Sequence, residues 1–496
     1  MLQLPHNLYT CAQTRSIDQA AIQQGGIRGI VLMKRAARAA LRVLVERWPA
    51  HGPIALLCGS GNNAGDGYLL AGLAKSQGLS VAVWHAQDPA LLQGDAQLAY
   101  AFACQEQVVM APFDNQQPPQ LPADAVVVDA LLGTGVVGPV RPAFATVIGW
   151  INCCGLPVLA LDLPSGLCGD TGAELGSAVI ATASVCFVAL KQGLLTARGP
   201  ALCGDLYCEN LDIPANFYPA PAVQRIDLMS QITHLPKRSA DAHKGQSGHV
   251  LVLGGDQGFG GAALMAAEAA LVTGAGLVSL ATQPEHVLAS LVRRPEVMAL
   301  GVRNGAEAAP ALARASVLAI GPGLGRGPWG QQLLQAALTF QLPMVVDADA
   351  LNLLAEQPAP RATRANWILT PHPAEAGRLL GVTTAQIQAD RFAAVRALQA
   401  KFGGVVLLKG AGTLIADAAG AVLANVGNAG LATAGSGDML TGIIAGLLAQ
   451  GMAPSAAARL GVCLHGGAAE LFAEQEGLRG LIATDLLPAL KVLMND

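Results

Sequence analysis

The chain of 496 residues carries 30 basic and 34 acidic side chains, a formal charge of −4, with 13% of its residues charged and 52% apolar. Charge at about half the usual quarter of a soluble chain excludes extended disorder, and the length predicts about two to four domains, each with its own core. No run of Lys or Arg offers the clustered cations that a phosphate backbone demands, so nucleic acid is not an expected partner. Glycine stands out with 58 residues, about 12% against about 7% in an average protein. Such a surplus points to places where the backbone must be approached closely.

The amino-terminal MLQLPHNLYTCAQTRSID has neither the cationic start nor the apolar run of an export signal, so a cytoplasmic protein is expected. Its ten cysteines show no zinc spacing and read as reduced packing residues. The first predicted strands are PIALLC from Pro53, SVAVW from Ser80, AVVVD from Ala125, LPVLALD from Leu156 and SVCFVAL from Ser184, separated by helix-length stretches. Alternation of this kind is the signature of a parallel α/β sheet.

PIALLC leads into Gly59-Ser60-Gly61-Asn62-Asn63-Ala64-Gly65-Asp66-Gly67, with a helical pattern expected from Tyr68. A glycine loop between strand and helix exposes amides suited to a phosphate, although tight packing alone asks for the same glycines. Asn62, Asn63 and Asp66 are more short polar side chains than a helix cap uses. The next strand ends at His85-Ala86-Gln87, where a dehydrogenase would hold a ribose with a carboxylate, so hydride transfer is disfavoured. Later strands end at Asp129 and at Asp162, which precedes LPSG with Ser165. At one sheet edge Asn63, Asp129, Asp162 and Ser165 can converge, either as turn caps or around a cation. Lys191 is the one cation placed to assist proton abstraction there, unless it is merely a solvated strand end.

Pro214, Pro219, Pro221 and Pro236, without a sustained period, make 213–238 an expected interdomain linker. A second series of strands follows: HVLVLGG from His249, SVLAIG from Ser316, LPMVVDAD from Leu342, NWILT from Asn366 and GVVLLKG from Gly404. Bare-backbone loops recur at their ends, as Gly254-Gly255-Asp256 and Gly321-Pro322-Gly323-Leu324-Gly325. Asp347 and Asp349 either orient Mg2+ through water or cap the next helix. Pro371-His372-Pro373 pins a histidine at another strand end, as a site residue or as a rigid exposed turn. Lys409-Gly410-Ala411-Gly412-Thr413 closes GVVLL with a cation and a bare turn, as a nucleotide phosphate would want. Gly435, Ser436 and Gly437 then open an apolar helix, and Asp438 follows at once. A carboxylate beside an anion hole is awkward unless it accepts the proton of a hydroxyl attacking phosphorus; a plain N-terminal helix acid is the alternative. The uncharged stretch 439–458 is interrupted by glycines and Pro454 after about ten apolar positions, short of a membrane span, so a buried helix is expected.

These motifs carry a resemblance. HKGQSGHVLVLGGDQGFGGAALMAA, GPGLG, DADALN, TPHPAE, KGAGT and NAGLATAGSGDMLTG resemble the ribokinase-like dehydratases of hydrated NAD(P)H, and GSGNNAGDGY, DALLGTG and LDLPSG resemble the NAD(P)H-hydrate epimerases. Nearly the whole chain outside the linker is covered, in the order of the fused bifunctional repair family. The resemblance implies an α/β protein of two domains, with residues 1–220 a Rossmann-like doubly wound epimerase domain and 221–496 a ribokinase-like α/β/α sandwich. It implies NADHX and NADPHX as substrates, exchange of their R and S forms in the first domain, and ADP-driven dehydration of the S form in the second, with release of AMP and phosphate. A homo-oligomer with no membrane partner is expected.

By the same resemblance, K+ would be held by Asn63, Asp129 and Ser165. Around the hydrate in the first domain would stand Asn62, Asn63, Ala64, Gly65, Asp66, Gly133, Thr134, Gly135, Val136, Val137, Gly138, Pro139 and Asp162, with Asp162 as base and Lys191 assisting. In the second domain Ala262, Gly323, His372 and Asp438 would touch the hydrate, with Asp438 as base. Lys409, Gly410, Ala411, Gly412, Thr413 and Gly437 would touch the adenine nucleotide, accompanied by Mg2+. The chain departs from the family pattern at Ala429, Ala434 and Lys34, where Pro, Gly and an acidic residue are usual, which bears on local loop shape. A ribokinase-like vitamin or sugar kinase with an accessory nucleotide-binding domain shares every phosphate feature of the second half and is the alternative.

Overall fold

The computed structural model describes residues 4–136, 138–356 and 363–495, so Val137 lies outside the described residues. The chain divides into two compact units, Met1–Gln224 and Arg225–Asp496. The first holds β1 (Asn7–Leu8), β2 (Ile54–Cys58), β3 (Val81–His85), β4 (Val109–Pro112), β5 (Val126–Ala130), β6 (Val158–Leu161), β7 (Ala183–Phe187) and β8 (Asp205–Glu209), and β9 (Val223–Ile226) straddles the boundary. The second holds β10 (His249–Leu253), β11 (Leu277–Thr282), β12 (Met298–Gly301), β13 (Val317–Ile320), β14 (Met344–Val346), β15 (Trp367–Leu369), β16 (Val405–Leu408), β17 (Thr413–Asp417) and β18 (Gly420–Ala424).

In the first unit seven strands lie in the order β4-β3-β2-β5-β6-β7-β8, and every registered pair is parallel. β2, β5 and β7 are buried along their whole length without alternation, as strands with both faces covered must be. The chain winds outward from β2 to β4 and then returns to β5. β2 and β5 are therefore neighbours whose following loops diverge, the switch point where an open α/β sheet presents a crevice.

The helix after β2 begins at Asn62, not at Tyr68, and runs to Ser76. NNAGDG is its first turns rather than a loop, and its glycines serve close contact. A Cβ on Gly65 would meet Met33 Sδ at 2.7 Å, and one on Gly67 would meet Ala130 Cβ at 2.6 Å and Cys58 Sγ at 2.9 Å. Small residues here let the helix press onto β2 and β5.

The second unit repeats the logic. Around β10 the order is β18-β17-β16-β15-β14-β13-β10-β11-β12, parallel from β16 through β12, with β17 and β18 added antiparallel as a hairpin. Its switch point lies between β10 and β13. There the two expected glycine loops are laced together, Gly255 N–H donating to Pro322 O at 3.0 Å and Asp256 N–H to Gly323 O at 2.6 Å.

The expected linker is not loose chain. β9 pairs antiparallel with β1, matching Asn7 with Gln224 and Leu8 with Val223, and Asp227 then opens a short helix, Leu228–Ile232, with a capping box. Elements this short leave no periodicity to read among the prolines. The apolar stretch 439–458 falls in helix Ser436–Ala449, most of it buried, and in the start of a second helix, Pro454–Glu476. Among the described residues no helix is long and apolar enough to cross a membrane.

Helix Ser436–Ala449 lies flat against helix Gly260–Thr273. A Cβ on Gly442 would fall 2.1 Å from Ala266 O, and one on Gly446 2.7 Å from Ala270 O. The backbones are in contact, with no flexible atom to give way. Gly442→Val should therefore destabilise the carboxyl-terminal unit by about 1–3 kcal/mol and lower its denaturation midpoint. Gly149→Ala, where nothing lies within 4 Å, should be neutral or stabilise by about 0.5–1 kcal/mol. Equal midpoints for Gly442→Val and the parent would show that these helices can part.

Candidate functional site

At the first switch point the helix Asn62–Ser76 starts behind Gly61 with no side-chain cap on its opening amides. Those amides are the anion-seeking feature of the loop. Asn63 turns inward and its Nδ2 donates to Leu132 O at 3.1 Å. Asp129, fully buried at the end of β5, accepts Leu131 N–H at 3.2 Å and Ser165 N–H at 2.8 Å, and Ser165 Oγ donates to it at 2.6 Å. Ser165 Oγ also accepts Leu132 N–H at 2.8 Å and lies 3.1 Å from Leu132 O. Asn63, Asp129 and Ser165 thus meet around the Leu131–Leu132 backbone. Asn63 Oδ1 is buried there without a hydrogen-bond partner. Burial lifts the Asp129 carboxyl to about 6 against the pull of its three hydrogen bonds.

Asp162 follows β6 with φ of 66°, the left-handed region, which a non-glycine residue enters at a cost. Its Oδ1 accepts Phe187 N–H at 3.2 Å and pairs with Lys191 Nζ. Lys191 is buried, not a solvated strand end: its side chain is 1% exposed. Nζ also donates to Phe187 O at 2.8 Å and lies 3.4 Å from Cys186 Sγ. Burial alone would discharge this amine, but Asp162 and Cys186 outweigh it and hold the ammonium above its usual range.

A cavity of about 750 Å³ opens over these groups. Asn62, Asn63, Asp66, Gly133, Thr134, Gly135, Val136, Pro139, Asp162 and Lys191 line it, whereas Ala64, Gly65 and Gly138 do not. Ala64 and Gly65 are buried on the packing face of their helix. Burial, together with Asp162 and Asp18, raises the Asp66 carboxyl well above its usual value. Sequence reasoning missed the opposite wall, where Arg15 and Asp18 of helix Cys11–Gln23 and Leu32 and Met33 of helix Gly29–Arg47 face the same space. The mixed polarity of those two helices was the available signal.

In the second unit the ends of three successive strands converge. Asp347 follows β14, Thr370 and His372 follow β15, and Lys409 follows β16. Lys409 Nζ donates to Asp347 Oδ1 at 2.7 Å and Thr441 Oγ1 to Asp347 Oδ2 at 2.8 Å. Burial would raise Asp347, yet Lys409 and the hydrogen bonds from Lys409, Thr370 and Thr441 hold it below the carboxylate range. Asp347 is therefore a partner for Lys409, while Asp349 Oδ2 accepts Gly325 N–H at 3.0 Å and ties down the glycine loop.

Gly437 lies directly over that ion pair, since a Cβ there would sit 3.3 Å from Lys409 Nζ and 3.7 Å from Asp347 Oδ2. Its helix starts from Gly435 at φ of 85° with no side-chain cap. Asp438 follows, and burial with the nearby Asp347 pushes its carboxyl up to about 7, Lys409 opposing. His372 caps helix Pro373–Leu380, its Nδ1 accepting Ala374 N–H at 3.1 Å and Glu375 N–H at 3.4 Å. Burial and the charges of Lys409 and Arg378 keep its imidazole below the usual pKa. Glu375, to which the sequence assigns no role, is buried beside them and raised by that burial to about 7. Gly323, at φ of 57°, lies against Ala262, whose Cβ would be 3.2 Å from a Cβ on Gly323. The Lys409–Thr413 turn carries Gly410 and Gly412 at positive φ, 131° and 61°.

Residues 250–491 match the family described as NAD(P)H-hydrate dehydratase, and residues 29–193 match the family described as YjeF-related protein N-terminus. The bifunctional NAD(P)H-hydrate repair enzyme Nnr of Coxiella burnetii is 47% identical over 492 residues, covering 98% of this chain and 99% of its own. That of Vibrio cholerae is 40% identical over 498 residues, covering 100% and 99%. Among solved structures, a ribokinase-like superfamily protein of Enterococcus faecalis is similar with a TM-score of 0.51 and 29% identity, over 54% of this chain and 94% of that one. By likeness along its full length, the chain belongs to the family of bifunctional NAD(P)H-hydrate repair enzymes.

Proposed function

We propose that this chain returns hydrated NAD(P)H to NAD(P)H. The amino-terminal unit exchanges the R and S forms of NADHX and NADPHX at C6, with Asp162 as base and Lys191, paired with it, holding it in place. The carboxyl-terminal unit dehydrates the S form with ADP as phosphoryl donor, releasing AMP and phosphate. The observation that carries this reading is Asp438, a half-buried carboxyl raised to about 7 at an uncapped helix start above the Lys409–Asp347 pair.

Hydroxide leaves carbon poorly, so the C6 hydroxyl must first be made into a better leaving group. Asp438 takes its proton as the oxygen attacks the terminal phosphorus of ADP, and the bond from that phosphorus to the bridging oxygen of AMP breaks. The first-turn amides at Ser436 and Gly437 meet the charge that develops. The lone pair of the ring nitrogen then expels phosphate from C6, and loss of a C5 proton restores the dihydronicotinamide. Lys409–Thr413 and Gly437 hold the nucleotide; Ala262, Gly323 and His372 border the hydrate.

A K+ ion fits Asn63, Asp129 and Ser165, because a buried amide oxygen without a partner and a buried carboxylate lifted to about 6 both call for a positive charge. Such an ion would supply that charge beside the phosphate-seeking helix start. Mg2+ is different. Among the described residues no group of three His, Cys, Asp or Glu side chains is arranged to hold a metal ion, and Asp347 is already paired with Lys409. The residues do not make a cage for a resident divalent ion, and Mg2+ would come with the nucleotide phosphates.

Incubating the protein with hydrated NADH and ADP should restore the absorbance of the reduced nicotinamide and release AMP and phosphate; a stable phosphorylated alcohol would instead establish a kinase. Asp438→Asn should cut dehydration by about 10²–10⁴-fold while ADP still binds in calorimetry, and retention of most of the rate would remove Asp438 from the mechanism. Because the base must be ionised, dehydration in the parent should rise with pH through about 7 and flatten above it. A profile flat between pH 5 and 8 would show that no such group controls the step. Replacing Na+ by K+ should tighten hydrate binding to the amino-terminal unit and raise its unfolding temperature, and Asn63→Ala should lose both responses. Equal behaviour of the parent in the two salts would exclude the cation site.

A further inference from the structure

Arg391 opens helix Arg391–Phe402 and is completely buried, one of the largest side chains so enclosed. Burial lowers its guanidinium only to about 10, so it stays charged at neutral pH. Its Nη2 donates to three carbonyls of one turn, Leu408 O at 3.0 Å, Lys409 O at 3.2 Å and Gly412 O at 3.4 Å. Nη1 donates to Gln388 Oε1 at 3.0 Å. Gly410 lies flat on the guanidinium, as a Cβ there would stand 2.9 Å from Nη1 and 3.3 Å from Nη2. The Lys409–Thr413 turn is thus wound around a buried cation that gathers its carbonyls to one side.

The winding fixes more than the turn. Lys409 N–H donates to Pro371 O at 2.9 Å while its side chain reaches Asp347. With its carbonyl on Arg391, its amide on Pro371 and its ammonium on Asp347, Lys409 is held at three points beneath Gly437. A planar fork suits this task. A lysine ammonium in the same place would be a compact point charge, unable to present the flat face on which Gly410 rests.

We propose that Arg391 is a positioning residue of the dehydratase site, a buried template that shapes the Lys409–Thr413 turn for the adenine nucleotide and thereby sets nucleotide affinity. The proposal rests on the reading of that turn as the nucleotide turn. Removing the template should loosen the turn but leave Asp438 and the helix start where they are. A residue of merely structural importance would lower the unfolding temperature or the fraction of active protein, with the KM for ADP unmoved.

The test uses full-length Arg391→Met and Arg391→Lys, with thermal unfolding of the carboxyl-terminal unit as folding control. The KM for ADP should rise about ten- to hundredfold in Arg391→Met, as loss of several bonds to a charged group predicts. The kcat at saturating ADP and the KM for the hydrate should stay within about threefold, and Arg391→Lys should recover only part of the ADP affinity. Lys409→Ala, followed by ADP calorimetry, separates the two ideas. If it weakens ADP binding while Arg391→Met leaves the KM for ADP unchanged, the role given to Arg391 is overturned. If neither variant affects ADP, the nucleotide reading of the turn itself fails. Should Arg391→Met not fold, Arg391→Lys decides alone, and a parental KM for ADP in it overturns the proposal.

Discussion

At the carboxyl edge of each sheet a lysine is paired with an aspartate, a buried Lys191 with a half-buried Asp162 and a half-buried Lys409 with a buried Asp347. A charge taken out of water is tolerated only with a partner and further hydrogen bonds, and stripping one member of such a pair costs about 3–5 kcal/mol. Both pairs meet that condition, Lys191 through Phe187 O and Asp347 through Thr441. In the second unit the pairing has a chemical result. Because Asp347 has already claimed the ammonium, Lys409 cannot hold Asp438 down among ordinary carboxylates, and burial prevails. A carboxyl raised to about 7 thus follows from an ion pair of which it is not a member.

The two units reach this arrangement by the same route. Each sheet is wound outward from one strand and then back past it, and the loops that diverge at that point are too short and too close for side chains. Gly59 illustrates the crowding, since a Cβ on it would fall 2.0 Å from Leu131 O, and Gly321 repeats it at 1.8 Å from Asp347 O. Part of the glycine surplus has this local origin, and turns at positive φ such as Gly78 and Gly451 account for more of it. The first part marks backbone meeting backbone at the crevices and helix meeting helix behind them.

Much of this was legible in the sequence, because long apolar strands and glycine-rich strand ends leave strong local signals. The strands from PIALLC to GVVLLKG and the polar residues at their ends lie where the pattern put them. The start of the helix at Asn62 was not legible, since glycine reads as loop when its neighbours across space are unknown. Asp347 was read as a metal carrier or a cap, because only the fold brings Lys409 beside it across 62 positions. The β17–β18 hairpin hides in an alanine-rich run without strict alternation, and β9 is four residues among prolines. Arg391 gave no sign at all: a single arginine at a helix start looks solvated until its carbonyl partners are seen.

Asp162 combines two burdens in one residue, a backbone twisted into the left-handed region and a carboxylate joined to a buried amine. Most side chains would object to that twist, but asparagine accepts it at least as readily as aspartate does. The amide therefore removes the negative charge while keeping the shape, whereas alanine would disturb both at once. Conformation and ionisation, fused in the native residue, can be pulled apart at this one position by a change of a single atom group.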